Sequence, residues 1–188
     1  MKLFNESQVE PIGTSDIQTS IVGFIARFLV VHTIVYFFAG LVFSEVLHYK
    51  ELFATSEYAN MRPYDSIMIM IGPFLQVFRG ALIALVFVPF RKVIIENKWG
   101  WIYLFAAQWM LLNVAADSVT PGAIEAIIYT DIPFGHHFIT YPEFTFHTLV
   151  VSLLFWVWQR KPNKILNIVF ISVFVIITIL LILGMVTR

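Results

Sequence analysis

Five apolar runs divide the chain, covering residues 21–43, 66–90, 100–116, 143–158 and 165–185. A helix crosses ~30 Å of hydrocarbon with about 20 residues. The first, second and fifth runs reach that length; the third and fourth are short. Helix is the expected conformation because lipid offers no partners to free backbone groups, and the alternation of a membrane strand is absent. Few polar residues interrupt the runs: Arg27 and His32 in the first, Gln76 and Arg79 beside Gly72 and Pro73 in the second, Gln108 and Asn113 in the third, and His147 near the start of the fourth. The fifth carries no charge. The pattern predicts an all-α, polytopic integral membrane protein of about five transmembrane helices in one membrane domain, 1–188.

Composition agrees. Of 188 residues, 59% are hydrophobic and 13% charged, against about 25% charged in an ordinary soluble domain. A domain of this size leaves roughly a third of its unfolded surface exposed, so the apolar excess must meet lipid. The lipid bilayer is thus the first expected partner. Basic and acidic residues balance at 12 each, and no global field favours nucleic acid. With no cysteine, disulfides, iron–sulfur clusters and thiolate metal sites are excluded. The first run follows a polar stretch with Glu6, Glu10 and Asp16 and lacks a small-residue cleavage pattern, so it reads as a retained span rather than a signal peptide.

Basic residues in the connections predict the orientation. Segments 91–99 and 159–164 hold six Lys and Arg together, whereas 44–65 and 117–142 hold two. Under the positive-inside rule this places the N-terminus in the cytoplasm and the C-terminus outside, in a plasma (inner) membrane. Trp99, Trp101, Trp156 and Trp158 fall at the same cytoplasmic boundary, as an aromatic belt would. The outer connection 117–142 is long. Thr120 followed by Pro121 resembles a helix start, predicting a short helix over 122–129 within that loop.

Counting ~1.5 Å per residue from the outer span ends sorts the polar residues into two layers. The outer layer is acidic and histidine-rich: Asp117, Glu125, Asp131, His136, His137, Glu143 and His147. The middle layer holds His32, Gln76, Arg79 and Gln108. Glu143 and His147 are four apart and share a helix face. With His136, His137 or Asp117 they form a candidate metal shell of zinc type. Haem is disfavoured, because the same count sets His32 and His147 roughly 10 Å apart along the normal. Arg79 keeps its charge, and the count finds no acid at its level, so an anionic ligand, a carbonyl-lined cavity or a partner subunit must balance it. Arg27 is expected to snorkel to the cytoplasmic interface, and Ser152 reads as a packing residue.

Three functions fit these residues. The first is a transporter or permease for a small solute or anion, with a binding site of Arg79, Gln76, His32 and Gln108. Five helices make a narrow bundle, so a homo-oligomer is expected with it. The second is an intramembrane metal-assisted hydrolase using Glu143 and His147. The third is an accessory or structural subunit of a membrane complex. Phosphate-loop, dinucleotide, zinc-protease and serine-elbow motifs are all missing.

Overall fold

The computed structural model describes residues 20–59 and 61–187; the polar stretch with Glu6, Glu10 and Asp16 lies outside them. No strand occurs among the described residues. Four helices are long and apolar enough to cross a bilayer, Ile21–Val46, Gly72–Glu96, Phe134–Arg160 and Lys164–Val186, and the chain is an integral membrane protein of the all-α class.

Helix α1 (Ile21–Val46) opens with the Ser20 side chain accepting from the Gly23 amide. It is the central helix, packing against the three other long helices: α4 (Gly72–Phe87), α8 (Tyr141–Arg160) and α9 (Lys164–Val186). A turn at His48, φ 49°, leads to the short α2 (Tyr49–Leu52). The second apolar run is not one uninterrupted helix. A single turn, α3 (Ile67–Met70), ends before Ile71, and α4 (Gly72–Phe87) restarts there. The break has a local cause: Pro73 lacks an amide hydrogen and its ring crowds the carbonyl four residues back, so it suits a first helical turn. A 3-10 turn, Val88–Phe90, then leads into α5 (Arg91–Glu96). Arg91 and Lys92 are therefore helical instead of lying in a loop.

The chain reverses at Gly100 into α6 (Gly100–Trp109), which widens into a π-helical turn over Met110–Val114. This segment rises at most about 22 Å, less than a full bilayer core. It runs antiparallel to α8 (Tyr141–Arg160). At one end the Trp156 indole donates to the Asn97 carbonyl at 3.2 Å, and at the other Trp109 donates to Thr145 Oγ1 at 2.9 Å. The connection to α8 contains α7 (Ile124–Tyr129), preceded by Ala123 and not by the Thr120–Pro121 pair, and a 3-10 turn at Phe134–Phe138. The Tyr141 hydroxyl ties this connection down by donating to the Gly122 carbonyl at 2.9 Å. The last helix, α9 (Lys164–Val186), is capped by Asn163 and buries only Ile177.

The bundle is held by close aromatic and aliphatic contact. Phe155 stands edge-on to Phe24 and Phe28, at centroid distances of 4.9 and 5.1 Å. Between lipid-embedded helices such packing, and hydrogen bonds across the interface, drive association, since acyl chains are as apolar as the side chains. Two glycines permit close approaches between helices. A Cβ on Gly80 would lie 3.1 Å from both the His32 ring and the Leu29 Cα, and one on Gly100 would lie 1.7 Å from the Ile94 carbonyl oxygen.

One expectation at the opposite end of the bundle is corrected. Arg27 donates to Gln159 Oε1, in the last turn of α8, at 2.9 Å and lies over the Trp158 ring, 5.6 Å from its centroid. Trp158 is no interfacial anchor but a core residue, 2% exposed, donating to Asn167 Oδ1 at 2.7 Å and stacking on Phe170.

Candidate functional site

The polar residues of four helices converge on one small cavity of about 100 Å³. Helix α1 contributes His32 and Tyr36, α4 contributes Arg79, α6 and its π turn contribute Gln108 and Asn113, and α8 contributes Glu143, His147 and Thr148. Gly80 makes the meeting possible, because its missing side chain lets α4 approach α1 at the level of His32. The π turn lies beside the cavity, where Asn113 Nδ2 reaches back to the Gln108 carbonyl at 3.4 Å. Such wide turns recur at functional positions.

Within the cavity the two imidazoles touch, with centroids 4.9 Å apart and rings nearly perpendicular. This corrects the separation counted from span ends. The ends share no common level: α1 continues to Val46, while α8 begins beneath the 3-10 turn at Phe134–Phe138. The argument from depth against a two-histidine haem therefore falls. Volume argues in its place, since ligand pockets run to ~300–1,000 Å³ and this cavity is smaller.

His32 Nε2 and Gln76 Oε1 are 3.2 Å apart; the oxygen accepts, so the imidazole donates. That leaves His32 Nδ1 buried without a partner, and His147 Nε2 is buried without one as well. Orphaned buried polar atoms are uncommon and call for an explanation such as a bound ligand or water. Gln108 does not bond Arg79. Its amide donates to Ser152 Oγ at 2.9 Å and to the Leu104 carbonyl at 3.4 Å, which bears out Ser152 as a packing residue. The hydrogen bonds of the cavity thus bypass Arg79. The expectation that no acid stands at the level of Arg79 is also corrected, because Glu143 lines the same cavity.

Arg79 lies on the exposed side of α4, on one stripe with Leu75, Leu82 and Val86, as spacings of three and four dictate. Two larger spaces adjoin its cavity. Towards the α1–α2 end, Tyr36 and Glu143 also line a vestibule of about 750 Å³ bounded by Tyr49, Phe53, Tyr64 and Asp65. The Tyr49 hydroxyl donates to the Glu143 carboxylate, which lines both vestibule and cavity. Burial, and then that hydrogen bond, push the Tyr49 phenol well above its ordinary pKa. Towards α5, Ile83 and Leu112 also line an apolar groove of about 550 Å³ between α4–α5 and α6.

The five candidate metal ligands are dispersed. Glu143 and His147 line the cavity, whereas the buried His137 contacts the Ile132 carbonyl through Nε2 at 3.2 Å. His136 stacks on Tyr58, whose hydroxyl donates to the His136 carbonyl at 3.4 Å. Asp117 is exposed. No three His, Asp or Glu residues gather around one point among the described residues. The loop histidines engage their own segment, which spacing along the chain does not reveal. Sequence reasoning also missed Tyr36 and Tyr49; neither breaks the hydrophobic pattern, so no signal marked them. Comparison with protein-family models, curated proteins and solved structures finds no match to this chain.

Proposed function

We propose that this chain is a permease-like membrane protein that binds a small anion at Arg79, inside the cavity shared with His32, Gln108, Glu143 and His147. The observation that carries the reading is the convergence itself. Side chains from α1, α4, α6 and α8 line one cavity beside a vestibule, with two buried imidazole nitrogens unpartnered. An intramembrane ionisable residue is costly unless it has a partner or a use, and the guanidinium offers five donors to an anion. Glu143 balances the charge of Arg79 while the site is empty. In this reading α6 and its π turn form a fifth, short crossing, the N-terminus is cytoplasmic, and the membrane is the plasma membrane.

The test is binding of a short-chain carboxylate, butyrate, to protein in nanodiscs by isothermal titration. A charge-assisted hydrogen bond contributes ~1.5–3 kcal/mol, so Arg79→Gln weakens binding roughly ten- to hundredfold, and Arg79→Lys restores part of it. Wild-type affinity in a well-folded Arg79→Gln variant refutes the site. Should that variant aggregate, His147→Ala replaces it with the same expectation.

A second reading is favoured by the exposure of Arg79 on α4: a carboxylate from another subunit, or from a second copy of the chain, neutralises it. Mass measurement after extraction in mild detergent decides this one, since a monomeric particle with no bound chain removes it. A metal-assisted hydrolase is not proposed, because no third ligand joins Glu143 and His147 among the described residues.

A further inference from the structure

We infer that the anion bound at Arg79 is the head group of a single-chain amphiphile, whose acyl tail lies in the groove between α4–α5 and α6. The inference rests on the anion-binding reading and adds the ligand class and its route of entry. The groove is lined by Leu82, Val86 and Val93 on one wall and Leu104 and Ala107 on the other, with Tyr103 its one polar side chain. Helices α4 and α6 flank it without packing closely on each other. From Leu82 to Val93 it runs about 16 Å along the helix axis, roughly half the ~30 Å hydrocarbon core. That is the reach of one acyl chain.

Its upper end adjoins the cavity of Arg79. Ile83 and Leu112 belong to both groove and cavity, so the spaces for an apolar tail and a charged head lie side by side. Ordinary annular lipid explains the tail alone. It does not explain a guanidinium in the cavity that adjoins the groove, or the two unpartnered imidazole nitrogens in that cavity.

The electrostatics of the two routes favour lateral entry. An anion coming through the vestibule passes the carboxylates of Asp65 and Glu143, the latter held by Tyr49. One sliding in from the bilayer between α4 and α6 meets no charged side chain before Arg79. Moving a tail from lipid into the groove brings little gain by itself, because both surroundings are apolar. Selectivity therefore comes from the charged head.

The experiment uses the full chain in nanodiscs with two photoactivatable probes: a long-chain fatty acid carrying a diazirine near its methyl end, and the matching long-chain alcohol. Crosslinks are mapped by peptide mass spectrometry. The fatty acid is expected to label the segments around Val93 and Leu104 about tenfold more than the alcohol, the discrimination of one charge-assisted contact. Arg79→Gln abolishes that preference and Arg79→Lys retains it. Ala107→Trp fills the groove and removes tail labelling, while butyrate binding persists. Equal labelling by acid and alcohol, or labels spread over the lipid face of α9, overturns the inference. Butyrate titration on the same samples separates the failures. Arg79-dependent butyrate binding with unselective labelling leaves the anion site standing and removes the lipid, whereas loss of both removes the two together.

Discussion

Replacing Ser152 with Ala probes the contact that holds the short helix α6 in the bundle. Gln108 on α6 is 1% exposed and Ser152 on α8 is fully buried. The Gln108 amide donates to Ser152 Oγ at 2.9 Å, and Ser152 donates onward to the Thr148 carbonyl at 2.7 Å. Ser152→Ala leaves the amide only the Leu104 carbonyl at 3.4 Å. An unsatisfied buried donor costs ~1–3 kcal/mol, and hydrogen bonds between membrane helices average ~0.6 with a maximum near 1.7 kcal/mol. The remaining weak partner and the membrane reference place the loss at about 1 kcal/mol. Gln108→Leu behaves differently: it removes the amide altogether, and Ser152 keeps Thr148, so its cost stays below that of Ser152→Ala. The double variant resembles Gln108→Leu alone, giving a coupling of about 0.6–1.5 kcal/mol. Reversible unfolding in mixed micelles measures all four corners of the cycle. If the two substitutions add to within ~0.3 kcal/mol, the bond contributes nothing between these helices, and the account of how α6 is held is wrong.

Three further outcomes are expected. Gly100→Ala drives a Cβ to 1.7 Å from the Ile94 carbonyl oxygen, contact with backbone that cannot yield, so it costs more than ~4 kcal/mol and shows as loss of monodisperse protein; normal thermal stability contradicts it. At Gly80, Ala gains ~1 kcal/mol of helix propensity and loses about as much to crowding against His32, so its stability is near wild type. Gly80→Leu is strongly destabilised, and equal stability of the two means α1 and α4 are not closely apposed. The raised pKa of Tyr49 means that its bond to Glu143 is complete below the ordinary phenol pKa and lost only as pH climbs through the higher folded value. Alkaline titration of tyrosinate absorbance should therefore show a late-ionising component absent from Tyr49→Phe, and an unchanged curve for that variant argues against the bridge.

The hydrophobic pattern by itself determined the class of the protein and where most of its helices run. An apolar run in lipid has one economical way to satisfy its backbone, so α1, α8 and α9 fall within three residues of the expected boundaries. Pro73 was visible in the sequence too, but its effect depends on which turn it occupies, and it begins a helix instead of bending one. The site residues His32, Gln76, Arg79, Gln108 and His147 announced themselves as polar groups where polarity is costly. Their partners did not. Depth counted from span ends cannot order helices that begin and end at different levels, so the contact of His32 with His147 and the placement of Glu143 and Arg79 on one cavity were illegible along the chain. Whether Gln108 turns to Arg79 or to Ser152, and whether His136 and His137 reach the cavity or stay with Tyr58 and Ile132, depends on the rotation and packing of whole helices. Those are set by many small contacts summed across the bundle, among them the close approach at Gly80, and only the tertiary structure records them.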